Sequence, residues 1–217
     1  MHYPIFNSIV NTIDQQLGKR GIVPFKFKKW KDNKIHATGL ELVFELGTAS
    51  GYIHSLSINF DWDSFRETRL AANMEGMEEH PLLSVDTLVE TSVNPTIDVE
   101  LCWYFDGLRC QPNSPLTHSN HRIEHASQWM ESLSKEVNDL LGASDIITRW
   151  HIEVEGDDRG RYLSAINLIS YFQYRMGDLT SVNEVQHFVS RKLQDLLLKA
   201  NRVMYISEDI LTEAVAA

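Results

Sequence analysis

The stretch Thr96-Ile97-Asp98-Val99-Glu100-Leu101-Cys102-Trp103-Tyr104-Phe105 has the cleanest period in the chain. Ile97, Val99, Leu101, Trp103 and Phe105 fall on one side of a two-residue alternation. Asp98, Glu100, Cys102 and Tyr104 fall on the other. Side chains of an extended strand point to opposite faces in turn, so this pattern predicts a strand with one face in the core.

Similar alternation appears upstream. Val23, Phe25 and Phe27 alternate with lysines, which predicts a half-buried strand with Phe25 and Phe27 turned into the core. Lys31-Asp32-Asn33-Lys34 supplies a turn. Leu40, Leu42, Phe44 and Leu46 then alternate against Glu41 and Glu45. After the loop Gly47-Thr48-Ala49-Ser50-Gly51, Tyr52, His54, Leu56, Ile58 and Phe60 share a face. Three such segments on short loops read as an antiparallel meander.

Helical spacing brackets the strands. Ile5, Phe6, Ile9, Val10, Ile13 and Leu17 recur at steps of three and four, between Pro4 and the glycines at 18 and 21. Ser64 and Glu67 form a capping box that predicts a helix over about 64–77. From about Asn120 to Leu141, Ile123, Ala126, Met130, Leu133, Val137 and Leu140 make one stripe, closed by Gly142. Trp150, Ile152 and Val154 predict another strand, Gly156–Gly160 a hairpin loop, and Arg161–Gln173 a returning strand, with a helix as the alternative there. A second capping box, Ser181 to Glu184, opens a helix on Val185, Phe188, Val189, Leu193, Leu196 and Leu197 that runs to about Asn201.

Amphipathic elements in this order predict an α+β fold: an antiparallel sheet of about five to six strands with helices packed mainly on one face. We read residues 1–217 as a single domain with a tail frayed from about 208. The 217 residues suit one core, and 43% hydrophobic content excludes a disordered chain. Two cysteines cannot form a disulfide framework, so Cys102 and Cys110 read as free thiols of a cytoplasmic protein. No segment has the apolar length of a membrane span. The net charge of −10 disfavours nucleic acid and favours a basic partner.

Four groups of residues are candidates for function. His121-Arg122-Ile123-Glu124-His125 matches the H-x-x-E-H spacing in which two histidines bind zinc and a glutamate activates water. His118 adds a third imidazole at helical spacing, so His118, His121 and His125 are the candidate ligands for a divalent transition metal. The match covers five residues and implies no family. On a helical wheel His121 and His125 point away from the apolar stripe, so a solvated helix face is the simpler reading. Seven basic residues, Lys19, Arg20, Lys26, Lys28, Lys29, Lys31 and Lys34, face only Asp32 in their segment, making it +6 and leaving the remainder at −16. Lysines commonly guard edge strands, and that reading is favoured over phosphate binding.

Acidic residues form the third group: Glu75, Glu78 and Glu79 together, Asp98 and Glu100 on the polar face of a strand, and Glu153, Glu155, Asp157 and Asp158 running along a strand into its loop. Asp98, Glu100, Glu153 and Glu155 are the candidate partner-binding residues. Fourth, aromatic residues from Tyr52 to Tyr174 read as core, with an apolar pocket as the alternative, and His54 reads as a hydrogen-bonded core histidine. The chain has no phosphate-cradling glycine loop and no nucleophile elbow, and we assign no catalytic residue or bound cofactor. The expectation is a non-catalytic interaction protein that binds a protein partner through an acidic surface. Homodimerisation through an edge strand or the C-terminal helix is a further expectation. The alternatives are a small metal-dependent hydrolase built on the three histidines, and a small-molecule binder with its pocket between sheet and helix.

Overall fold

The computed structural model describes residues 4–32, 37–46, 51–63, 96–107, 109–110, 119–142, 146–157, 160–175 and 182–216. The elements are α1 (Pro4–Lys19), β1 (Lys26–Asp32), β2 (Ala37–Glu45), β3 (Ile53–Asp63), β4 (Thr96–Asp106), α2 (Ser119–Leu141), β5 (Ile147–Asp157), β6 (Gly160–Arg175) and α3 (Val182–Ala216). The fold is α+β, with one six-stranded antiparallel sheet in the order β1-β2-β3-β4-β6-β5. β1 and β5 are therefore its terminal strands. The alternative helix over 161–173 is excluded, since β6 is a strand throughout. The capping box at Ser64, the helix expected over 64–77 and the acidic group at Glu75, Glu78 and Glu79 lie outside the described residues. No described helix is long and apolar enough to cross a membrane.

The described residues form two compact units. The first draws on segments within Met1–Leu42, Asn59–Val99 and Gln173–Asp195. Its α1 buries Ile9, Val10, Ile13 and Leu17, the stripe expected from their spacing. The helix stops where Gly21 takes a left-handed conformation at φ 65° and Ile22 N–H donates to the Leu17 carbonyl over 3.0 Å. Polar side chains tie α1 to the first part of α3: Gln16 donates to Ser190 over 3.3 Å and Gln186 to Ser8 over 2.9 Å. On α3 the buried residues are Val185, Val189 and Leu193, and Phe188 meets Tyr174 of β6 edge to face.

The second unit draws on segments within Val43–Ile58, Glu100–Phe172 and Leu196–Ala217. Leu101, Trp103 and Phe105 of β4 are buried, as their alternation predicts. From α2, Ala126, Met130, Leu133 and Val137 are buried, together with Trp129 and Leu141. Gly142, at φ 59°, donates to Asn138 over 3.1 Å and ends the helix, and Lys199 donates to the Leu141 carbonyl left open there over 3.0 Å. α3 does not end near Asn201: it is helical to Ala216, with Ala200, Val203, Ser207 and Leu211 continuing the buried stripe. The small polar Ser207 interrupts the apolar pattern, but its hydroxyl is satisfied by the Val203 carbonyl at 2.7 Å.

Candidate functional site

The second unit builds its terminal strand on helix α2. Trp150 of β5 donates its indole N–H to Ser134 Oγ over 2.7 Å, and Ser134 donates onward to the Met130 carbonyl over 2.8 Å. Thr148 donates to Asn138 Oδ1 over 2.6 Å and lies 3.1 Å from the Ser170 hydroxyl. Between these contacts the rings of Phe105, Trp129 and Trp150 pack together, with centroids 5.6 to 6.0 Å apart. This support holds β5 on its helix side and through its pairing with β6.

That pairing fixes what β5 displays. Trp150 lies opposite Leu168 and Ile152 opposite Ile166, on the face that α2 covers at Trp150. His151 lies opposite Asn167, Glu153 opposite Ala165 and Glu155 opposite Tyr162, on the other face. A bulge between Glu153 and Val154 places the extra residue, Ser164, on β6, so β5 keeps its regular pleat. Sequence alternation predicts a buried Ile152 and Val154. They are instead 39% and 45% exposed, and Ile147 is 62% exposed, because no further strand lies beyond β5 among the described residues.

The polar face is ordered by charge. Arg149 reaches to 3.9 Å from Glu100 of β4, and His151 lies 3.7 Å from Glu153. Tyr162 donates to Glu155 over 2.9 Å. The four acidic candidates do not form one adjacent cluster, because β6 separates β4 from β5. Glu100, Glu153 and Glu155 belong to the second unit, with Glu153 and Glu155 exposed and Glu100 half-buried. Asp98 belongs to the first unit, is half-buried, and its Oδ1 has no hydrogen-bond partner.

Farther along the polar face of β4, Cys102 is buried, and burial pushes its thiol up from 9.0 to about 11, with Glu100 adding to the rise. Burial also raises the Tyr104 phenol. Cys110 is raised further, by burial and then by Asp106 and Glu208. Both shifts favour the protonated thiol near neutral pH. His54 is not a core histidine: it is exposed, with its ring edge-on to Tyr104 at 6.1 Å. Its neighbour Ile53 is fully buried, and Leu56, Ile58 and Phe60, which share the parity of His54, are buried farther along β3.

The histidine group is only partly visible. His118 lies outside the described residues, and nothing is described of the His121 side chain. Glu124 is exposed. His125 does not point clear of the core: it is half-buried, and its Nε2 is enclosed without a hydrogen-bond partner. Trp129, four residues on, is buried and widens the stripe towards His125. Among the described residues no group of three His, Cys, Asp or Glu is placed to hold a metal ion.

The basic segment differs from its sequence reading in one respect. Val23 and Phe25 precede β1 and are 85% and 74% exposed, while Phe27 is half-buried. Pro24 cannot donate to a ladder, so the strand starts only at Lys26 and its alternation does not extend back to Phe25. Lys28 and Lys29 are exposed, Lys26 pairs with Glu41 at 2.6 Å, and the Trp30 indole lies where a Cβ on Gly39 would be. Lys34 lies outside the described residues. Comparison with family models, with curated proteins and with solved structures finds no match to this chain.

Proposed function

We propose that this chain is a non-catalytic protein-interaction module that meets its partner along β5. The supporting observation is the terminal position of an 11-residue strand bearing exposed Ile147, Ile152 and Val154 together with exposed Glu153 and Glu155. A terminal strand presents backbone donors and acceptors that an added strand satisfies, and neighbouring side chains select which strand is added. The carboxylates favour a partner with basic residues, and the exposed aliphatics favour one that alternates them with apolar residues. The test is purification at low salt of the intact chain beside its Ile152→Lys and Glu153→Lys variants. The expected result is a complex that dissociates as salt rises and fails to form with either variant. A complex indifferent to both substitutions contradicts this use of β5.

A second reading rests on the enclosed, unpartnered Nε2 of His125. If it is a ligand atom, metal retained by tag-free protein falls to background in His125→Ala. Equal metal in the two proteins removes the hydrolase alternative.

A further inference from the structure

We infer that the strand best matched to β5 is β5 of a second copy, antiparallel and related by a two-fold axis through Ile152. This rests on the use of β5 as an interaction edge and identifies its occupant. Ile147–Asp157 reads I-T-R-W-H-I-E-V-E-G-D, and the match is in that order. With Ile152 on the axis, Ile152 faces its own copy and Trp150 faces Val154. Arg149 faces Glu155, and His151 faces Glu153. Each pairing off the axis occurs twice, as an isologous contact requires. Trp150, Ile152 and Val154 on the helix-covered side then meet apolar residues, and Glu153 and Glu155 on the other side meet His151 and Arg149; only the end pair, Ile147 with Asp157, is unmatched.

The neighbouring registers keep some of these matches but place like groups on the axis. Moving the axis to His151 keeps Arg149 against Glu153 and Trp150 against Ile152, but it sets the two imidazoles against each other, leaves Val154 opposite Thr148 and brings the carboxylate–Ile147 mismatch inward to Glu155. Moving it to Glu153 opposes two carboxylates directly, which is destabilising. A one-residue slip would exchange the two faces of the strand, so it is not an intermediate solution.

The backbone is in phase with the same axis. The Glu153 carbonyl turns towards β6, where the Ser164 hydroxyl donates to it over 3.3 Å. Hydrogen-bonding direction alternates along an antiparallel strand, so Ile152 and Val154 direct their amides and carbonyls outward. The axis through Ile152 makes it a hydrogen-bonded pair with its copy, continuing the ladder. The 39% and 45% of Ile152 and Val154 now exposed lose solvent on pairing. A single shared edge is a modest contact, so the dimer forms with concentration.

The test is sedimentation of the full chain over a concentration series, read beside circular dichroism as a check of folding. The wild type is expected to move from the 24.9 kDa monomer to twice that mass. Arg149→Glu with His151→Glu places carboxylates at all four facing positions 149, 151, 153 and 155, and Glu153→Lys with Glu155→Lys places basic residues at the same four. Each variant alone is expected to dimerise at least about tenfold more weakly, while an equimolar mixture recovers dimer, which Ile152→Lys in both abolishes. A mixture that stays monomeric while the wild type dimerises overturns the register. A wild type monomeric throughout overturns self-pairing; β5 still stands as an interaction edge if Ile152→Lys abolishes a salt-sensitive complex with another protein. Mass growing beyond a dimer points to head-to-tail assembly and overturns the closed pair.

Discussion

The two terminal strands of the sheet are finished in opposite ways. β1 is 7 residues long and carries four lysines against one aspartate. Lys28 and Lys29 are exposed, and Lys26 is engaged by Glu41. β5 is 11 residues long, exposes Ile152 and Val154, and carries acidic and basic residues in an order that mirrors itself. Repeated like charges repel any second copy, whereas a mirrored order attracts one. The contrast teaches that a sheet can leave one edge available while guarding the other, using side chains alone.

Support differs as well. β5 rests on α2 through the Phe105, Trp129 and Trp150 cluster and the Trp150–Ser134 hydrogen bond. Trp129→Ala is therefore the severest test of the contrast. Loss of a buried tryptophan costs about 3–5 kcal/mol, read as a lowered denaturant midpoint, and fast amide exchange should appear in β5 before β1. Equal exchange at both edges would show that the cluster does not specifically support β5. Close behind comes Gly107→Ala, where an added Cβ would stand 2.7 Å from the Leu163 carbonyl oxygen of β6. Backbone cannot easily retreat, so a loss of about 1–3 kcal/mol is expected by thermal unfolding.

Alkali tests the floor of the second unit. Cys102 keeps its proton to about pH 11 in the fold but releases it nearer 9.0 when unfolded. Stability from this group is complete below about pH 9 and is lost as pH rises towards 11. The loss amounts to about 2 kcal/mol. Cys102→Ser should flatten that slope in a series of urea midpoints, and an unchanged slope would locate the alkaline titration elsewhere. Trp150→Phe keeps the aromatic packing but leaves Ser134 without its indole donor, for about 1 kcal/mol. Lys26→Ala at β1 removes a partly exposed ion pair and should change stability by no more than about 0.5 kcal/mol.

Periodicity made several elements legible. The β4 alternation, the α1 stripe at Ile9, Val10, Ile13 and Leu17, and the α2 stripe from Ala126 to Val137 match the buried residues, because local spacing determines which side chains share a face. Spacing does not determine strand order. Glu100 was thus legible as a polar-face residue, but the intervening β6 was not, and neither was its approach to Arg149. For the same reason the alternation of Trp150, Ile152 and Val154 predicted a core face and missed that it borders solvent at the sheet's end. Phe25 was misplaced because Pro24 delays the strand, and the part of α3 beyond Asn201 because Ser207 stands in an otherwise apolar stripe. The mirrored charges of β5 were present in the sequence, but they acquire meaning only once β5 is known to be an edge.

The most direct measurement is amide hydrogen exchange of the intact chain at low and high protein concentration, followed at β1 and β5 together. Slower exchange at Ile152 and Val154 with rising concentration, while β1 is unchanged, is the predicted result. Exchange at β5 that is independent of concentration, or protection that appears at β1 instead, would contradict an open, self-complementary β5 edge.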